Sequence, residues 1–174
     1  MSNFKEIVTK AVVGKAKKNS VDSFKVETNE VPNTVLGCWV INHTFSGFNN
    51  NGSVMINGEY DVNVWYSYDN DTKTTVSTKR FAYTDKINVN LKDNTGLTNS
   101  NEIIVRSLRQ PTVSDVKIEN NLVDINIEKE LAVEIIGDTK IKVSIEELDD
   151  DYDIVDDNDL SDEVIDEIDE EYLN

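Results

Sequence analysis

The sequence predicts an all-β protein: an antiparallel β-sandwich or barrel-like body, a short N-terminal helical or irregular lead, and an acidic C-terminal tail that is disordered or conditionally helical. Three observations predict this. In residues 58–68, Tyr60, Val62, Val64, Tyr66 and Tyr68 occupy every second position, with Asp61, Asn63 and Ser67 between them. Side chains alternate across a strand, so these five share one face. Short alternating runs recur along the chain between turn signals, and no long helical period competes with them. Charge is also segregated. Of 34 acidic residues, 16 lie in residues 146–174 with no Lys or Arg, while the remaining 145 residues carry 18 acids against 17 bases. Like charges at that density repel one another and favour an extended chain.

From the N-terminus, Phe4, Ile7, Val8, Ala11 and Val12 fit helical spacing, while Ala11-Val12-Val13 suits a strand. The expectation is a helical or irregular lead to about Lys10, then a strand through Lys18 or beyond. Val31-Pro32-Asn33 marks a turn, because proline fixes its own backbone and restricts its predecessor. Strand 35–45 places Trp39, Ile41, His43 and Phe45 on one face and Leu36, Cys38 and Val40 on the other. Apolar residues on both faces predict a central, doubly covered position near its start. Asn51-Gly52 predicts a hairpin turn into Val54, Ile56 and strand 58–68. Asp69-Asn70-Asp71 turns into strand 72–83, whose apolar parity changes between Val76 and Phe81. That change predicts a bulge near Lys79-Arg80.

Strand 86–91 follows with Ile87, Val89 and Leu91, then a polar loop 92–101 around Gly96. Ile103 to Leu108 reads as a strand ended by Gln110-Pro111. Val113, Val116 and Ile118 lead to a turn at Glu119-Asn120-Asn121. Leu122 to Ile136 forms a long strand, Gly137-Asp138 turns the chain, and Ile141, Val143 and Ile145 alternate in the last strand. The body therefore spans residues 1–147 and the tail 148–174. Within the tail Leu160, Val164, Ile168 and Tyr172 are spaced four apart, with Ser161 as an N-cap. Anionic crowding opposes a helix there in isolation, so the pattern suits a segment that orders on a partner. A solvated solubility tail is the competing reading, although it has no need of those four apolar residues.

Catalytic and ligand-binding patterns are few. The single His43 lies on a predicted strand face and reads as a strand histidine rather than a general base. Cys38 has no CxxC partner for zinc and no second cysteine for an internal disulfide. P-loop, dinucleotide-binding and nucleophile-elbow motifs are absent. Counting an EF-hand from Asp149 puts Ile154 where glycine is needed and Leu160 where a bidentate glutamate is needed. No catalytic residue, cofactor or metal ligand is assigned. The charge distribution disfavours nucleic acid and anionic membrane surfaces, and no apolar run reaches the length of a membrane span. Trp65 stands out as the large aromatic on the polar side of the 58–68 alternation. It is either a core tryptophan covered by a second layer or an exposed anchor for self-assembly.

The run Gly58-Glu59-Tyr60-Asp61-Val62-Asn63-Val64-Trp65-Tyr66-Ser67-Tyr68, with Asn70, Thr72, Lys73 and Thr74, resembles the outer-coat morphogenetic protein CotE family of endospore-forming bacteria. Glu6 to Val13, Leu36 to His43, Glu130 to Lys140, Gln110-Pro111 and the acidic tail match in colinear order, across essentially the whole chain. The Asn-rich loop 47–52 and the tail sequence are this chain's own. The resemblance implies a non-enzymatic scaffold of the mother-cell cytoplasm and then the spore coat. Such a scaffold homo-oligomerises, sits on an inner basement layer and recruits outer-coat proteins. The charge segregation and the spacing of Leu160, Val164, Ile168 and Tyr172 make the tail the expected docking segment. A carbohydrate-binding β-sandwich is the alternative, with Trp39, Trp65, Tyr66 and Tyr68 stacking on sugar rings.

Overall fold

The structure, a computed structural model, describes residues 3–92 and 96–146. Leu160, Val164, Ile168 and Tyr172, and the expected boundary at 147/148, lie outside the described residues. Among the described residues six strands follow one another: β1 (Phe4–Val26), β2 (Pro32–Asn50), β3 (Ser53–Tyr68), β4 (Lys73–Ile87), β5 (Glu102–Glu119) and β6 (Leu122–Ser144). They form two three-stranded sheets, ordered β1-β6-β5 and β2-β3-β4. By its contacts the chain divides into two units, Val8–Ile141 and Met1–Ile7 with Lys142–Asn174. In the smaller unit the Ile145 amide donates to the Asn3 carbonyl at 2.9 Å.

In the larger unit, the centre strands β3 and β6 face one another. Tyr60, Val62, Val64 and Tyr66 pack with Val26, Val123, Ile125 and Ile127. Further along, Val54, Ile56 and Ile87 pack with Leu131, Val133 and Ile135. The order of contacts makes β3 and β6 run in opposite senses across an aligned sandwich. At one margin β2 lies alongside β5. A Cβ on Gly47 would meet the Ile103 side chain at 3.1 Å. The 58–68 alternation holds: Tyr60, Val62, Val64 and Tyr66 are buried.

Turn chemistry is also as expected. Asn51 and Gly52 take positive φ of 51° and 90°, and Asn120 and Asn121 take 51° and 64°, the backbone a tight hairpin requires. Asp69, Asn70 and Asp71 are left-handed as well. Gly58 pairs with Tyr83 across β3 and β4, and a Cβ there would collide with the Tyr83 ring. Tyr83 thus lies over the glycine and covers the gap in the sheet.

Several expectations are corrected. The N-terminal lead is strand from Phe4, not helix, because the backbone finds pairing that outweighs a weak helical period. β2 is an edge strand rather than a doubly covered one, and its outer face is open at Trp39 and Ile41. Its parity also breaks. Asn42 adopts φ 56° at a register shift between Ile41 and Thr44. Trp39 and Ile41 therefore face outward, while His43 and Phe45 turn inward to Tyr60 and Tyr83. β3 and β4 pair without a bulge, and strands 72–83 and 86–91 are one element ending at Ile87. The change of parity arises because Val76 sits outside, opposite Trp65. β5 continues through Pro111, where a register shift between Arg109 and Thr112 removes any need for its N–H. β6 runs unbroken through Gly137-Asp138. Gly137 makes room there instead of a turn: a Cβ would stand 2.8 Å from Asn101 Nδ2, which donates to the Ile136 carbonyl.

Candidate interaction surface

Three cross-strand rows form the outer face of the β2-β3-β4 sheet. They are Gly37–Trp65–Val76, Trp39–Asn63–Thr78 and Ile41–Asp61–Arg80. Trp65 is 41% exposed and Trp39 42%, with Ile41 at 43% and Val76 at 50%. Gly37 lies between the two indoles: a Cβ there would be 3.5 Å from Trp39 and 3.6 Å from Trp65. The absence of a side chain leaves both rings displayed on a pleated, backbone-paired surface. Aromatic residues so placed offer large contact area with little side-chain entropy to lose.

Hydrogen-bonded polar groups share the same face. Arg80 Nε donates to Asp61 Oδ1 at 2.8 Å, its Nη2 donates to Asp61 Oδ2 at 3.3 Å, and Asn42 Nδ2 donates to the same oxygen at 2.9 Å. These bonds, Arg80 first, hold the Asp61 carboxyl below the usual carboxylate range. Thr78 donates to Asn63 and Thr84 to Asn57. Exposed aromatic side chains interleaved with polar groups whose hydrogen bonds are satisfied suit a protein interface. The opposite sheet presents a different outer face. Glu128, Glu130 and Glu134 of β6 pair with Arg109, Lys17, Lys15 and Arg106. Exposed pairs of that kind contribute about 0–1 kcal/mol each and keep the surface solvated.

The interior carries a polar layer the sequence reading missed. Lys129 occupies an inward position in the β6 alternation and is fully buried. Its Nζ lies 2.7 Å from Asp22 Oδ2 and 3.2 Å from Asp85 Oδ2, and 3.9 Å from the centre of the Tyr83 ring. Tyr60 donates to Asp22 Oδ2 at 2.8 Å. Tyr83 Oη is 2.6 Å from His43 Nε2, and His43 Nδ1 is 3.2 Å from Gln110 Oε1. Gln110 Oε1 only accepts, so Nδ1 carries the proton and Tyr83 donates to Nε2. Burial raises the Tyr60 and Tyr83 phenols well above their ordinary range and lowers His43. The legible signal was Lys129 itself, a lysine in register with Val123, Ile125, Ile127, Leu131, Val133 and Ile135.

Cys38 is free and half-buried, and burial pushes its thiol up to about 11. Among the described residues no three His, Cys, Asp or Glu side chains are grouped to hold a metal. No helix among them is long and apolar enough to cross a membrane. A family model described as outer spore coat protein E matches residues 3–174. No curated protein and no solved structure matches the chain.

Proposed function

The chain belongs to the outer spore coat protein E family, and from that premise we propose that it is a morphogenetic scaffold that self-assembles around the developing spore. It works in the mother-cell cytoplasm before becoming part of the coat, and it recruits other outer-coat proteins. The observation that carries self-assembly is the exposed Trp39–Trp65 pair beside Ile41 and Val76, on the outer face of the β2-β3-β4 sheet. Exposed tryptophans dominate the binding energy of such patches, and the hydrogen-bonded polar groups between them fix register. Recruitment is assigned to Leu160, Val164, Ile168 and Tyr172 of the tail, set among carboxylates that attract basic partners.

Light scattering across concentration, run beside chemical denaturation, tests the role of Trp65. Trp65→Ala is expected to lower the mass of assemblies at a given concentration at least tenfold, while stability changes by no more than about 1 kcal/mol, as for other exposed positions. Wild-type assembly by a fully folded Trp65→Ala chain overturns the assignment. A body that stays monomeric at every concentration and binds glycans on an array favours the carbohydrate-binding alternative instead.

A further inference from the structure

The polar layer between the two apolar clusters holds more chemistry than packing needs. An ammonium loses its hydration when buried, and an ion pair in such a place is a weak source of stability compared with apolar residues. Yet Lys129 is fully buried beneath the centre of the sandwich, with one carboxylate at 2.7 Å and a second at 3.2 Å. The second is oriented unusually. Asp85 Oδ2 touches the ammonium as a charge but makes no hydrogen bond, while Asp85 Oδ1 lies 3.4 Å from Lys18 Nζ. An amine buried from water, a carboxyl held against it and a further proton-carrying group are the parts an amide condensation requires.

We propose that Lys129 Nζ and Asp22 Cγ join as an intramolecular amide, with Asp85 as the proton carrier. Asp85 Oδ2 takes one proton from the ammonium and passes it to the Asp22 carboxylate. The Nζ lone pair then attacks Cγ. Tyr60 O–H, already donating to Asp22 Oδ2, stabilises the negative charge that gathers on that oxygen. Asp85 carries a second proton from nitrogen to Oδ1, the bond from Cγ to Oδ1 breaks, and water leaves. The third ammonium proton stays on the amide. An ammonium and a carboxylate thus become one amide and one water, with net charge unchanged and no oxidant consumed.

The surroundings fit the product as well as the reactants. The amide carbonyl keeps the Tyr60 hydrogen bond, and its N–H faces the Asp85 oxygen that lacked one. Asp85 keeps Lys18 as its counter-charge. The apolar clusters that hold Val26, Ile127 and Leu131 lie on either side and limit the access of water to the fully buried nitrogen. Asp22 lies on β1 and Lys129 on β6, so the bond ties the first strand to the last within one sheet. The modification rests on this geometry alone and stands or falls separately from the coat role.

Intact mass under denaturing conditions decides it on the purified full chain. The expected mass is about 18 Da, one water, below that of the sequence. Trypsin should then yield peptide 19–25 joined to peptide 118–140, with no cleavage after Lys129. Lys129→Arg and Asp22→Ala should restore the mass of their sequences. Asp85→Asn, nearly isosteric and expected to keep the fold, should leave most chains unlinked. A wild-type chain at its full sequence mass and cleaved after Lys129 overturns the proposal. Linkage at the wild-type extent in Asp85→Asn overturns the part given to Asp85.

Discussion

His43 is fixed from both ring nitrogens, by Gln110 on one side and Tyr83 on the other. Burial is the main cause of its lowered pKa, while the hydrogen bond with Gln110 pulls the other way. Its ordinary value is 6.5, so the unfolded chain takes up a proton at a higher pH than the folded one. Stability must therefore rise with pH through that window. The contribution of neutral His43 is complete above 6.5 and is lost as pH falls below it. Urea midpoints of the wild type minus those of His43→Gln should decline from pH 7 to pH 5, above the range where most carboxylates titrate, about 4. A flat difference across that window removes His43 from the pH response. None of this was legible in the sequence, because the ring's surroundings come from β4 and β5, 40 and 67 residues away.

At the scale of the strand, one residue decides which face of β2 is which. Side chains alternate only while the backbone stays extended, and a single left-handed residue reverses every position after it. Asn42 is that residue, with φ 56° and its amide donating to Asp61. Asparagine tolerates this region and alanine does not. Asn42→Ala should cost about 1–3 kcal/mol, from the strained backbone together with the lost hydrogen bond. Asn42→Gly loses only the bond and should cost less. Denaturant midpoints give the order; alanine as stable as glycine would mean the bulge does not hold the turn of face. β3, by contrast, was legible throughout, since both its neighbours pair with it from end to end and its period is never broken before Tyr68. Proline and glycine misled at Pro111 and Gly137, each of which sits inside a strand. The first occupies an unpaired bulge position and the second allows the close approach of Asn101. Single-sequence signals report what a residue permits, and its partners decide which permission is used.

At the scale of the molecule, the proposed assembly and recruitment roles follow the division of charge between body and tail. All buried apolar residues among the described residues lie between Val26 and Ile135. Deleting residues 148–174 should therefore leave the thermal midpoint within a few degrees of wild type, the shift expected from under about 1 kcal/mol in a domain of this size. Concentration-dependent assembly should persist, because Trp39 and Trp65 remain. Recruitment of outer-coat proteins, measured by pull-down with purified partners, should be lost. Charge and anchors can be told apart within the tail. Replacing Leu160, Val164, Ile168 and Tyr172 by serine keeps every carboxylate, so binding at low salt should survive in part. At about 0.15 M salt, where charges more than roughly 8 Å apart are screened, that binding should fall away, since the apolar anchors no longer slow dissociation. Full recruitment by the truncated chain would move the docking site to the body, where the face around Trp65 would have to serve both self-association and partner capture.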